Sequence, residues 1–290
     1  RNPGAGMHTI SRGHAGDTAH GGFARWDWDA ATTPSDRVFV MFGMNDIGRG
    51  NWMDEKPSAE IAAKRKAALD KYADYSRRLA DKILASGRKL VMVTPSPYDQ
   101  YSCAKEANLA CCNEPGLSTC AQIVRDLAAE KGLPLLEFHA PLTDLQKRHA
   151  DHVFCVDRVH PGADGHFIMA ALVLEAMRVS PFVAQTVIEA AEAEAVKGGI
   201  AFDYAPNALP FPKLPEYERA EKFHPLTERL NREMLSVKGL VTGGEHGDND
   251  ARELFSGRDE YEYALAFDGR TVAKFTAADL AAGVNIALLD

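Results

Sequence analysis

Long apolar runs are missing from this 290-residue sequence; the longest, Phe167 to Leu174, is eight residues before Glu175 interrupts it. A bilayer span needs about 20, so no membrane-crossing helix is expected. Basic clusters are missing as well. With 33 Lys+Arg against 41 Asp+Glu the net charge is −8, and no patch offers the phosphate neutralisation on which nucleic-acid affinity rests. No nucleic-acid partner is expected. There is no internal repeat and no low-complexity tract. The first residue is Arg1 rather than Met, so the lack of a leader segment says nothing about localisation. What remains, 46% hydrophobic and 26% charged residues, is an ordinary globular composition. It suffices for one large α/β domain or a medium domain with an accessory.

Residues 1–180 alternate strand-like and helix-like patterns. Met7 to Ser11, Arg37 to Gly43, Lys89 to Thr94 and Leu133 to Phe138 are short apolar runs ended by turn residues, the pattern of parallel strands buried on both faces. Between Pro57 and Ser86, Leu69, Tyr72, Leu79 and Ile83 recur at helical spacing, and Gly87 follows as a stop. Ser118 to Lys131 repeats the scheme, with Gly132 at its end. A last helix, apolar nearly all round and expected to pack deep against the sheet, runs from Pro161 to about Met177. Strand alternating with helix implies a doubly wound α/β sandwich. Residues 181–290 differ: Ala205 to Pro215 is proline-dense, Gly239 to Asp250 is rich in Gly, Asp and Asn, and Tyr261 to Phe275 alternates about the turn dipeptide Asp268-Gly269. A β-rich accessory region is expected there. Val187 to Ala195 fits either helix or strand.

Three clusters sit where an open α/β sheet places its active site, at the carboxyl ends of strands. Ser11-Arg12-Gly13-His14-Ala15-Gly16-Asp17-Thr18 offers an unhindered backbone N–H at Gly16 and a helix cap at Asp17 or Thr18. Gly43-Met44-Asn45-Asp46 offers the Asn45 amide as a neutral donor, with Asp46 as a capping or supporting residue. In Asp157-Arg158-Val159-His160-Pro161-Gly162, Asp157 can accept from His160 Nδ1–H and leave Nε2 free as a general base. Any one of these is commonly just a turn or a surface pair. Two donors and an oriented His, in that order, form two-thirds of an acyl-transfer site.

These blocks resemble the SGNH/GDSL hydrolases, a family of esterases and acylhydrolases with a flavodoxin-like fold. The resemblance covers about residues 5–180 and implies Gly16 and Asn45 as the oxyanion hole, His160 as the base and Asp157 as its orienter. It implies a serine esterase acting on acyl esters of small molecules or carbohydrates, with acetyl among the candidate acyl groups, and without a cofactor. The Ala-Leu-Pro-Phe-Pro and Leu-Ala-Ala-Gly-Val-Asn segments resemble an accessory region of some bacterial members. One departure is large: the family's Gly-Asp-Ser block, which carries the nucleophile, occurs nowhere in the chain, nor does Gly-x-Ser-x-Gly. Ser11, Ser96 and Ser102 lie in other contexts and do not replace it. In the family that block ends a central strand between the first two strands seen here. Its loss would leave backbone groups unpaired at about 1–3 kcal/mol each, so the expectation is that the strand belongs upstream of the residues given.

Tyr98 and Asp99, after the third strand-like run, are candidates for lining the substrate cleft. Cys103, Cys111, Cys112 and Cys120 crowd an 18-residue stretch, suggesting disulfides and a periplasmic or secreted protein. His8, His14 and His20 lack a common face, so no metal site is expected. Two other readings stand beside the esterase: an inactive SGNH-like glycan-binding domain, and a metal-dependent hydrolase using those histidines.

Overall fold

A computed structural model describes residues 8–212, 214–240 and 262–289, which divide into two units, one within Met7–Met177 and one from Arg178 onward. In the first unit three parallel strands lie in chain order: β1 (Arg37–Val40), β2 (Lys89–Val93) and β3 (Leu135–Leu136). Arg37 pairs with Lys89 and Val40 with Met92, while Met92 pairs with Leu135 on the other side. The connections are helical. The helices are α1 (Ala19–Arg25), α2 (Ala59–Ala85), α3 (Ser118–Lys131), α4 (His139–Arg148) and α5 (Ala163–Ala176).

Local chemistry sets these boundaries. Ser58 caps α2 by accepting from the Ile61 N–H at 3.3 Å. Gly87, at φ +78°, turns the chain out at its far end. Gly132, at φ +62°, closes α3 in the left-handed conformation that glycine adopts without a side-chain penalty. Tyr72, Leu79 and Ile83 are all but fully buried, and each such side chain contributes about 1.5–3 kcal/mol of transfer free energy. With Trp26, Trp52, Leu90, Met92, Val124 and Leu127 they form the core on one face of the sheet.

The other face is less complete than expected. β2 is buried on both faces from Leu90 on, but β1 is not: Val38 and Val40 pack on the core while Phe39 and Met41 are 48% and 42% exposed. Among the described residues β1 has one hydrogen-bonded neighbour, β2. The strand expected at residues 7–11 does not form over residues 8–11, and Met7 lies outside the described residues; Ile10 is 58% exposed. A lone extended segment has no ladder to satisfy its backbone, so it stays irregular. α5 also packs less deeply than its composition suggested. Ile168 and Ala171 are buried, whereas Phe167, Met169 and Leu172 to Leu174 are half-buried. Phe39, Val91, Leu135, Val173 and Met177 line an open apolar trough of about 530 Å³.

In the second unit β7 (Arg232–Lys238) runs parallel to β4 (Phe182–Glu189) and antiparallel to β10 (Val284–Asn285). Two hairpins accompany this sheet, β5–β6 (Glu194–Val196, Gly199–Ala201) and β8–β9 (Glu262–Phe267, Arg270–Thr276), the latter turning at Asp268-Gly269. The ambiguous stretch Val187 to Ala195 is strand, turn and strand. Leu235, Val237, Leu280 and Ile286 form the core of this unit. The proline-dense segment is pinned by Asn231, whose amide accepts from Phe211 N at 2.7 Å and donates to Phe211 O at 2.9 Å. Most of Gly239 to Asp250, and Tyr261, lie outside the described residues.

Candidate active site

The loop before α1 and the loop after β1 are tied side by side. Gly16 takes φ +73°, which lets the chain reverse between His14 and the cap at Thr18, whose hydroxyl accepts from Gly21 N at 3.2 Å. Asn45 Nδ2 donates to Asp17 O at 3.1 Å, and Asn45 Oδ1 accepts from Arg49 Nη1 at 3.0 Å. The amide is thus set one residue from Gly16 with its orientation determined by two partners. Asp46 joins the same loops from below, accepting from Ala19 N and Gly43 N, each at 2.9 Å. Burial pushes its carboxyl up, against the pull of those backbone donors. Gly43 sits at φ +133°, a conformation that strains any residue with a side chain, and a Cβ there would crowd Pro95 at 3.1 Å. Asp17 is held in turn by Arg25 Nε at 2.8 Å, and Arg25 also reaches the buried Asp29. Arg25 and Asp29 give no signal in the sequence, because only the fold brings α1 and the turn after it under the Gly16 loop.

At the turn before α5, Asp157 and His160 meet as their spacing predicts. Asp157 Oδ1 accepts from the backbone N–H groups of Val159 (3.0 Å) and His160 (2.8 Å), and Oδ2 lies 2.5 Å from His160 Nδ1. The His160 backbone and ring bonds hold the Asp157 carboxyl down at about 2, so it stays ionised. An ionised carboxylate accepts only, which places the proton of a neutral imidazole on Nδ1 and the lone pair on Nε2. The His160 side chain is 83% exposed, and among the described residues nothing bonds Nε2. Arg158, between the two, takes φ +64°, a conformation that costs a residue with a side chain roughly 1–2 kcal/mol.

A model of the GDSL-like lipase/acylhydrolase family matches residues 2–168, more than half of the chain. The chain belongs to that family. A curated relative of this GDSL-like chain, the acetylxylan esterase of Geobacillus stearothermophilus, is 23% identical over 168 residues, which are 58% of this chain and 71% of the relative. A solved structure described as a gut microbial diltiazem-metabolizing enzyme superposes with a TM-score of 0.70 at 26% identity, covering 94% of this chain. This chain spans 63% of that structure's length. A crystal structure of the Geobacillus esterase, at 22% identity, has a TM-score of 0.47 and covers 59% of this chain and 72% of that one.

Within the GDSL-like unit, two expected cleft residues are placed elsewhere. Tyr98 is 2% exposed, its hydroxyl donating to Ala107 O (3.2 Å) and accepting from Leu109 N (3.1 Å). Asp99 is fully buried, with its carboxylate accepting from Ser102 N and Cys155 N at 3.3 and 3.1 Å. Both organise the segment after β2 instead of facing a ligand, because that irregular backbone needs partners that no strand or helix supplies. The expected disulfides do not form either. All five cysteines are free, Cys103 exposed and the others buried, with Cys111, Cys112 and Cys120 in the apolar core, where burial pushes the Cys112 thiol up to about 12. His14 lies 3.8 Å from Asp29 and His20 packs on Tyr75. Among the described residues no three His, Cys, Asp or Glu side chains gather as a metal site.

His139, the first residue of α4, is a buried group that the sequence did not single out. It is 4% exposed, and burial pushes its imidazole down to about 4. An unfolded His titrates near 6.5, so between those values the unfolded chain binds a proton that the folded chain does not. The stability this represents is present above pH 6.5 and is lost as pH falls toward 4, on the order of 3 kcal/mol in full. Urea unfolding at pH 7 and pH 4.5 should show the loss, and His139→Leu should flatten it. Equal pH slopes in the two proteins would remove His139 from the account.

Proposed function

We propose that this chain supplies the oxyanion hole and the general base of a serine-type ester hydrolase. The observation that carries this reading is the Asp157–His160 pair, with Nδ1 engaged and Nε2 open. A surface turn has no need for a histidine held in one tautomer. The Gly16 N–H and the Asn45 amide, linked through Asp17 O, would receive the oxyanion of the tetrahedral intermediate. His160 Nε2 would take the proton of the attacking serine and pass it to the leaving alcohol. In the second half-reaction it would activate the water that frees the acyl group.

The serine would arrive on a strand paired with the open edge of β1. Three observations support that place: β1 has β2 alone as a partner among the described residues, Phe39 and Met41 are exposed, and residues 8–11 form no ladder. These are the two segments that a Gly-Asp-Ser strand separates in the family. The substrate class we propose is an acyl ester, acetyl esters of carbohydrates first, as the acetylxylan esterase relative suggests. A fluorophosphonate probe tests the reading, since it labels only an activated serine. Labelling of the full-length protein that disappears with His160→Ala is the expected result. Full-length protein that folds, carries a serine strand and is not labelled would leave a glycan-binding role in its place.

A further inference from the structure

The residue between the acid and the base is the least explicable one in the motif. Arg158 is 5% exposed, although Arg is almost never buried without partners. Its partners are main-chain carbonyls: Nε donates to Glu106 O at 2.7 Å, Nη1 to Asp99 O at 2.7 Å and to Ser102 O at 3.4 Å, and Nη2 to Ala104 O at 2.7 Å. The segment from Asp99 to Glu106 has no helix or strand of its own, so one guanidinium gathers the carbonyls that secondary structure would otherwise satisfy. Two further bonds lock that segment to the catalytic turn, Asp99 N donating to Arg158 O at 2.8 Å and Cys155 N to Asp99 Oδ2 at 3.1 Å. Arg158 N in turn donates to Cys155 O at 2.9 Å. This web holds Arg158 at φ +64°. That left-handed step reverses the chain so that Asp157 reaches both the amides and the ring of the residues that follow it.

We infer that Arg158 is a positioning residue for the base, coupling the orientation of His160 to the segment Asp99 to Glu106. The inference rests on the proposed role of Asp157 and His160 in ester hydrolysis. The guanidinium fork is what the position requires, because its three nitrogens serve four carbonyls, one more than the three donors of a lysine ammonium.

The test uses full-length protein labelled with 15N-histidine, carrying Arg158→Met or Arg158→Lys. The nitrogen shifts of His160 report its tautomer, and kcat and KM for a chromogenic acetyl ester report the reaction. In the parent, the Nδ1–H tautomer is expected. Arg158→Met should mix in the Nε2–H form and lower kcat about 100-fold, the scale of a misplaced catalytic group, with KM changed less than about threefold. Arg158→Lys should fall between the two. If Arg158→Met does not fold, Arg158→Lys decides alone. A parent-like tautomer with parent-like kcat in the folded variant would show that Arg158 merely holds the loop. Asp157→Asn as a control separates the two readings. If it changes the tautomer and leaves kcat alone, the proposed chemistry is at fault, while the nitrogen shifts still decide whether Arg158 orients the ring.

Discussion

Asp157→Asn in the full-length enzyme is expected to lower kcat for an acetyl ester by about 10⁴-fold while KM changes little. The reason lies in the two oxygens of Asp157. Oδ1 caps the amides of Val159 and His160, and an asparagine carbonyl can keep both bonds. Oδ2, however, faces His160 Nδ1 at 2.5 Å, and an NH₂ group there would confront a donor with a donor. The imidazole escapes by moving its proton to Nε2, where it blocks the base. The turn survives and the chemistry does not. Because the native Asp157 carboxyl is held at about 2, it does not titrate between pH 4 and 8. Retention of more than a tenth of kcat would remove Asp157 from the mechanism.

Asn45→Ala should lower kcat by about 10²–10³, again with KM nearly unchanged, as expected for a donor that matters only once charge develops on the substrate oxygen. Nδ2 carries two hydrogens; one is used on Asp17 O, and the other remains for an oxyanion. The Arg49 bond to Oδ1 fixes the amide plane in advance, so no reorganisation is needed during reaction. The alanine variant keeps the Asp46 bonds to Ala19 and Gly43 that hold the two loops together. Its loss of rate therefore reports the amide itself and not a collapsed loop. Steady-state kinetics with a thermal melt as control would check this, and an unchanged kcat would exclude Asn45 from the oxyanion hole.

The parts of this molecule legible in its sequence are those governed by local rules. Helical spacing and the stop at Gly87 locate α2, Gly132 ends α3, and Asp268-Gly269 turns a hairpin. The Asp157–His160 pair is also local, three residues apart on one turn, and it forms as its spacing predicts. What was not legible depends on neighbours. An apolar run such as Arg37 to Gly43 reads as doubly buried, yet burial of Phe39 requires something to lie on it. Tyr98 and Asp99 sit at a strand end where clefts are expected, and they turn inward because an irregular segment needs their hydrogen bonds. Arg158 carries no sequence signal of its left-handed backbone, since that conformation is imposed by contacts more than 50 residues away in the chain. Clustered cysteines suggested cross-links, and in the fold three of them serve as small apolar side chains.

The edge of β1 that has no strand beside it among the described residues also bears on accuracy. A parallel ladder has one correct register, and a slip of a single residue sends every side chain of the incoming strand to the opposite face of the sheet. In the proposed enzyme the reach of the serine to His160 would therefore be measured out by the amides and carbonyls of Arg37 to Val40. Those groups belong to the main chain and survive any side-chain substitution short of proline. Such a ruler would tolerate substitution at the exposed Phe39 and not a one-residue insertion or deletion within β1.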